Sequence, residues 1–169
     1  MRHLILGGAR SGKSRFAESR AAELGLPVTY IATAEGRDGE MAERIARHRR
    51  ERPQAWRTVE EPIALGDALE CHAGPERCLL VDCLTLWLSN LLGAGERTLE
   101  SERQRLSEVL PSLPGKILLV SNEVGLGIVP DNPLARRFRD EAGRLNQAVA
   151  AQCEGVTFIA AGLPMVLKG

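Results

Sequence analysis

Eight residues near the start of the chain, Gly7-Gly8-Ala9-Arg10-Ser11-Gly12-Lys13-Ser14, constrain the fold more than any other feature. They fit G-x-x-x-x-G-K-[ST], and their neighbours supply the context that pattern needs. An aliphatic strand, RHLILGG (2–8), runs in, and good helix formers (Arg15, Phe16, Ala17, Glu18) run out. Glycines let the backbone wrap a phosphate with its N–H groups turned inward, where side chains would collide. A helix starting near Gly12 adds the positive end of its dipole. Lys13 is placed to reach the β- and γ-phosphates of a nucleotide, and the Ser14 hydroxyl to ligate Mg²⁺. A glycine-rich turn with an incidental lysine would need neither the strand nor the helix.

The rest of the chain extends this strand–loop–helix unit. Further aliphatic runs at 28–34 (VTYIATA), 56–59 (WRTV), 78–83 (CLLVDC), 116–121 (KILLVS) and 156–161 (VTFIAA) read as buried strands. Helical stretches lie at 11–25, 38–53, 84–95, 98–110 and 133–155. The first stops at Gly25 and Pro27, the second at Pro53, since a proline disfavours helix in the residue before it. Alternating strands and helices predict a three-layered α/β fold with a mostly parallel sheet. With 169 residues and no repeat or linker, the expectation is one domain over 1–169.

Composition excludes some functions. Lysine plus arginine equals aspartate plus glutamate at 22 each, so nothing global points to nucleic acid or an anionic membrane. No apolar run approaches the ~18 residues of a membrane span. The opening MRHLILGGARSGK is too short in its apolar part and too glycine-rich for a signal peptide. Cys71, Cys78, Cys83 and Cys153 match no metal or redox spacing and read as reduced, mostly buried thiols. A cytoplasmic protein is the simple expectation.

Asp82 ends the CLLVD run, at the carboxyl end of a strand, where a carboxylate that helps hold Mg²⁺ belongs. Its alternative role is a cap for the next helix. The segment RIARHRRER (44–52) packs five arginines around His48. On a helix, Met41, Ile45, His48 and Arg52 share one face, and the two apolar members turn it inward. Burial and flanking guanidiniums disfavour the charged imidazole, and a neutral one is a competent nucleophile or base. Arginines suit phosphate oxygens. The spacing leaves three readings open: a nucleophile, an anion-binding patch, or a half-buried histidine without chemistry. His3, inside a strand, and His72, in a turn-like segment, read as structural.

GGARSGKSRFAE, YIATA, RIARHRRERP with W-x-T-V-E-E-P, LLVDCLTLWLSN and SNEVGLGIVPDNPLARRFRDEAGRLNQ, in this order, resemble the bifunctional adenosylcobinamide kinase/adenosylcobinamide-phosphate guanylyltransferase family. The resemblance runs from residue 4 to about 168. It implies a P-loop NTPase fold of the RecA-like kind and two reactions in building the nucleotide loop of cobalamin. One transfers a phosphoryl group from ATP or GTP to the aminopropanol hydroxyl of adenosylcobinamide. The other moves GMP from GTP onto that phosphate through a covalent GMP-histidine, which here falls on His48.

The resemblance also implies nucleotide contacts at Gly7, Gly8, Ala9, Arg10, Ser11, Gly12, Lys13 and Ser14. Further contacts fall on Ala32, Thr33, Ala34, Arg49, Arg50, Glu51, Arg52, Glu60 (with Glu61 beside it) and Asp82. Mg²⁺ would sit at Ser14 and Asp82, and the chain would form a small homo-oligomer, a trimer. It assigns no separate roles to Asn122 and Glu123, which follow a strand end where a ligand loop belongs. Two rivals remain. A kinase of another small metabolite, with His48 structural, predicts no covalent adduct. A nucleic-acid ATPase or GTPase switch lacks support from an N-K-x-D guanine motif or an extended basic footprint.

Overall fold

The structure, a computed structural model, describes residues 1–34 and 53–169. Its elements run β1 (Arg2–Gly7), α1 (Lys13–Glu23), β2 (Val28–Ala32), β3 (Arg57–Glu60), α2 (Leu65–His72), β4 (Cys78–Asp82) and α3 (Leu84–Ala94). Then come α4 (Glu96–Val109), a 3-10 turn (Leu110–Ser112), β5 (Lys116–Asn122), α5 (Pro133–Gln152), β6 (Gly155–Ala160) and β7 (Leu163–Lys168). One sheet takes the order β3-β2-β4-β5-β1-β6-β7. Every pairing is parallel except β6 with β7. The expected α/β architecture is the one observed.

Side-chain alternation explains the layers. Leu79 and Val81 of β4, with Ile117 and Leu119 of β5, face a core completed by Leu65, Leu69, Trp87, Leu88, Leu106 and Leu145 from α2 to α5. Cys78 and Leu80, with Leu118 and Val120, face the other side, where α1 contributes Ala17 and Ala21. These alanines, one turn apart and fully buried, let α1 lie close to the sheet. Because both faces are covered, CLLV and ILLV are unbroken apolar runs. Trp87 is fully buried, and its Nε1 donates to Ile63 O at 2.7 Å, so the indole carries no unpaired donor.

Local signals set the helix ends. Gly25 takes a left-handed φ of 63° just past α1, as its expected stop requires. Asn132 Oδ1 accepts from Leu134 N at 2.8 Å and Ala135 N at 3.2 Å, and Pro133 opens α5. Two elements were not expected from the sequence, α2 and β7. α2 has only eight residues, and its start is held by Glu61, whose Oε1 accepts from Ile63 N (3.0 Å) and Ala64 N (2.8 Å). β7 contains Pro164, tolerated because this strand lies at the sheet edge. The helix expected over 38–53 lies outside the described residues, apart from Pro53.

Candidate active site

Register brings Gly7 beside Asn122 and Ala32 beside Asp82, so β1, β2, β4 and β5 finish together at one rim of the sheet. The loop after β1 crosses this rim. Ser11 N donates to Gly8 O (3.2 Å), and Phe16 N to Gly12 O (3.0 Å), closing the loop onto the first turn of α1. Glycine is required at position 7: a Cβ there would lie 2.5 Å from Ser11 Oγ and 2.6 Å from Ile159 O. Gly12 has φ 94°, which side chains rarely adopt. The first turn of α1 holds no acidic residue, which leaves its positive end available to an anion. Ser11 Oγ is buried with no hydrogen-bond partner among the described residues.

Lys13 is buried, and its Nζ donates to Gly8 O at 3.1 Å. Burial lowers its pKa below the ordinary lysine value, while Cys83 and Asp82 nearby offset part of that shift. Ser14 is half-buried on the same turn.

The β4 end is a built corner. Tyr30 Oη donates to Asp82 Oδ2 at 2.6 Å, fixing the carboxylate. Asp82 does not cap α3: the cap position is Cys83, and no side chain caps that end. Thr33 is fully buried, and its hydroxyl donates to Cys83 O (2.7 Å) and accepts from Cys83 N (2.9 Å). Asn90 Nδ2 donates to Thr33 O (2.7 Å) and Pro62 O (3.1 Å), tying β2 to the segment after β3. Asn122 Nδ2 donates to Thr85 Oγ1 (2.7 Å), Ser121 Oγ to Asn146 Oδ1 (2.7 Å), and Asn146 Nδ2 to Asn122 O (3.1 Å). Four strand ends and two helices are thereby laced behind the loop. Burial, then the Asp82 charge, pushes the Cys83 thiol pKa up.

Of the residues expected to act, Gly7 to Ser14, Ala32, Thr33, Ala34 and Asp82 lie at this rim. Thr33 meets it through a hydroxyl already occupied by Cys83. Glu60 ends β3 in register with Ala32, and Glu61 spends its carboxylate on the start of α2. His48 and Arg49, Arg50, Glu51 and Arg52 lie outside the described residues. Tyr30, Asn90 and Asn146 were missed. The signal for the two asparagines was present, each being a polar residue buried within an apolar helix face. His3 is structural as expected, its Nε2 2.8 Å from Thr157 Oγ1 across β1 and β6. The four cysteines are free, and only Cys71 is exposed.

Comparison with known proteins fits this geometry. A sequence profile described as cobinamide kinase / cobinamide phosphate guanyltransferase matches residues 3–167. The chain is 63% identical over 170 residues to the bifunctional adenosylcobalamin biosynthesis protein CobP of Pseudomonas aeruginosa, covering 100% of this chain and 98% of the relative. It is 41% identical over 179 residues to the CobU proteins of Escherichia coli and Salmonella typhimurium, covering 98% of each partner. Among solved structures, the RadB recombinase aligns with TM-score 0.52 at 14% identity, over 93% of this chain and 73% of that one. A Pyrococcus horikoshii protein, PH0250, aligns with TM-score 0.56 at 9% identity, over 99% and 86%. At such identities these two speak to the fold alone, a P-loop sheet of the RecA-like kind.

Proposed function

Because the chain belongs to the cobinamide kinase / cobinamide phosphate guanyltransferase family, we propose that its two reactions divide between the phosphate loop and His48. The protein is a bifunctional enzyme of adenosylcobalamin biosynthesis, a cobinamide kinase and a cobinamide-phosphate guanylyltransferase. In the first reaction, residues 7–14 wrap the nucleotide phosphates and Lys13 exchanges Gly8 O for phosphate oxygen. The aminopropanol hydroxyl of adenosylcobinamide then takes the terminal phosphoryl group of ATP or GTP. In the second, a His48 nitrogen attacks the α-phosphorus of GTP and pyrophosphate leaves. An oxygen of adenosylcobinamide phosphate then displaces His48, giving adenosylcobinamide-GDP. Arg49, Arg50 and Arg52 offset phosphate charge, with Glu51, Glu60, Ala32, Thr33 and Ala34 completing the nucleotide surroundings.

The single observation that carries the kinase reading is the closed loop, with Lys13 buried at its base and electrostatically coupled to Asp82. Ser14 and Asp82 are hard oxygen donors, and that chemistry fits Mg²⁺ shared with phosphates and water. When bound, Mg²⁺ would neutralise charge on the transferred phosphoryl group. A cytoplasmic location is part of the proposal, supported by four unpaired thiols. So is a homo-oligomer, a trimer, supported by the exposed apolar side chains of β7. Among the described residues, no helix is long and apolar enough to cross a membrane.

The test is a pair of variants. Lys13→Ala is expected to abolish phosphoryl transfer from ATP and to weaken GTP binding, measured by coupled assay and calorimetry. His48→Ala is expected to lose guanylyl transfer while phosphoryl transfer persists. Loss of both activities in a folded His48→Ala protein would contradict the division of labour.

A further inference from the structure

We propose that the Ala161–Gly162 turn of the C-terminal hairpin is a positioning element for the phosphate loop, setting nucleotide affinity without touching nucleotide. The inference rests on the reading of residues 7–14 as the nucleotide cradle. β6 and β7 pair antiparallel through Ala160 and Leu163, leaving Ala161 and Gly162 as a two-residue connection. Both have positive φ, 52° and 81°, the pattern of the turns that match the twist of such hairpins. Alanine is disfavoured there, and strain of this kind persists only where the surroundings enforce it.

Those surroundings are the phosphate loop. Gly162 N donates to Ser11 O at 2.8 Å. A Cβ on Gly12 would lie 3.3 Å from Gly162 Cα and 4.0 Å from Ile159 Cγ2, and one on Gly7 would lie 2.6 Å from Ile159 O. The loop is therefore backed by the end of β6 and the hairpin tip, and two of its glycines are the surfaces of contact.

The hydrogen bond has a consequence for phosphate. In a planar trans peptide the C=O and N–H point in opposite directions. Holding Ser11 O against the hairpin turns the Gly12 N–H, in the same peptide plane, to the side away from the hairpin. Inward-turned N–H groups are what a phosphate cradle requires. The second residue of a two-residue hairpin turn does not need its N–H for strand pairing, so Gly162 can spend its own on the loop. A change in the hand of that turn would release Ser11 O and let the Gly12 peptide rotate.

The test uses the full-length enzyme. Gly162→Val opposes the positive φ, and a Cβ at this position meets nothing within 4 Å, so its effect passes through the backbone. Gly162→Asn tolerates the left-handed region and keeps the N–H. Gly25→Val imposes a comparable backbone penalty (φ 63°, nothing within 4 Å) at the far end of α1, away from the loop. Gly162→Val is expected to raise the Kd for GTP and the KM for ATP by about tenfold, with a smaller change in kcat. Gly162→Asn is expected to stay within about twofold of the wild type, and Gly25→Val to lose thermal stability with GTP affinity unchanged. Equal GTP affinities in Gly162→Val and Gly25→Val would overturn the inference, as would Gly162→Asn binding as poorly as Gly162→Val. Where Gly162→Val does not fold, Gly162→Ala carries the same penalty in smaller measure and is read against the same control. Lys13→Ala separates the two levels: wild-type GTP affinity there defeats the reading of the cradle, whereas its loss leaves the role of the hairpin to be decided by the Gly162 series.

Discussion

Lys13 is buried and donates to a carbonyl of its own loop, so phosphate binding exchanges one oxygen partner for more strongly charged ones. Burial holds its pKa below 10.5 in the ligand-free chain, and phosphate would raise it again. Nucleotide binding is therefore expected to take up protons on the alkaline side, with affinity falling as pH rises through the lowered Lys13 pKa. Calorimetry in two buffers of different ionisation enthalpy reads that uptake directly; proton release would contradict it. His3 gives the stability counterpart. Burial first, then Arg20, lowers its folded pKa below 6.5, so the unfolded chain binds more protons in that window. Stability is expected to fall as pH drops through 6.5, and His3→Gln to flatten that part of a urea-unfolding profile against pH.

At the scale of elements, the corner between β4 and α3 depends on one hydroxyl. Thr33→Val would leave Cys83 N unpaired in a buried setting and Cys83 O with only the Trp87 N–H, a loss of about 2 kcal/mol. Urea unfolding should show that drop, with phosphoryl transfer falling as Asp82 loses its frame, and Thr33→Ser should recover both. The sequence revealed Asp82 but not this frame, for a physical reason. Strand runs and the glycine-lysine loop are local patterns, whereas which strand ends meet is decided by sheet order. Tyr30 reaches Asp82 only because β2 lies beside β4. The misses are similar in kind. α2 starts on a glutamate side chain from a preceding turn rather than on a capping residue, and the hairpin before β7 turns on Ala-Gly rather than on Asn-Gly. The loop, by contrast, was legible as a local pattern, because Gly7 answers to close contacts with Ser11 and Ile159 and Gly12 to its positive φ.

For the whole molecule, β7 ends the sheet with Leu163, Met165, Val166 and Leu167 exposed, and Lys168 its only charged residue. Exposed apolar edges of this kind are normally covered, which supports the proposed homo-oligomer. Val166→Glu with Leu167→Lys is expected to reduce the mass in solution to that of one chain, read by light scattering; an unchanged mass would exclude β7 as the contact.

The recombinase-like fold carries no implication of nucleic acid, since 14% identity transfers architecture and nothing more. The proposed guanylyl transfer rests instead on His48 in its arginine-rich segment. The decisive measurement is incubation with Mg²⁺ and GTP labelled at the α-phosphate, followed by denaturation. An acid-labile, base-stable label on the protein is expected, absent from His48→Ala while that variant still phosphorylates adenosylcobinamide. No label, or a label that survives His48→Ala, would contradict a histidine-borne GMP.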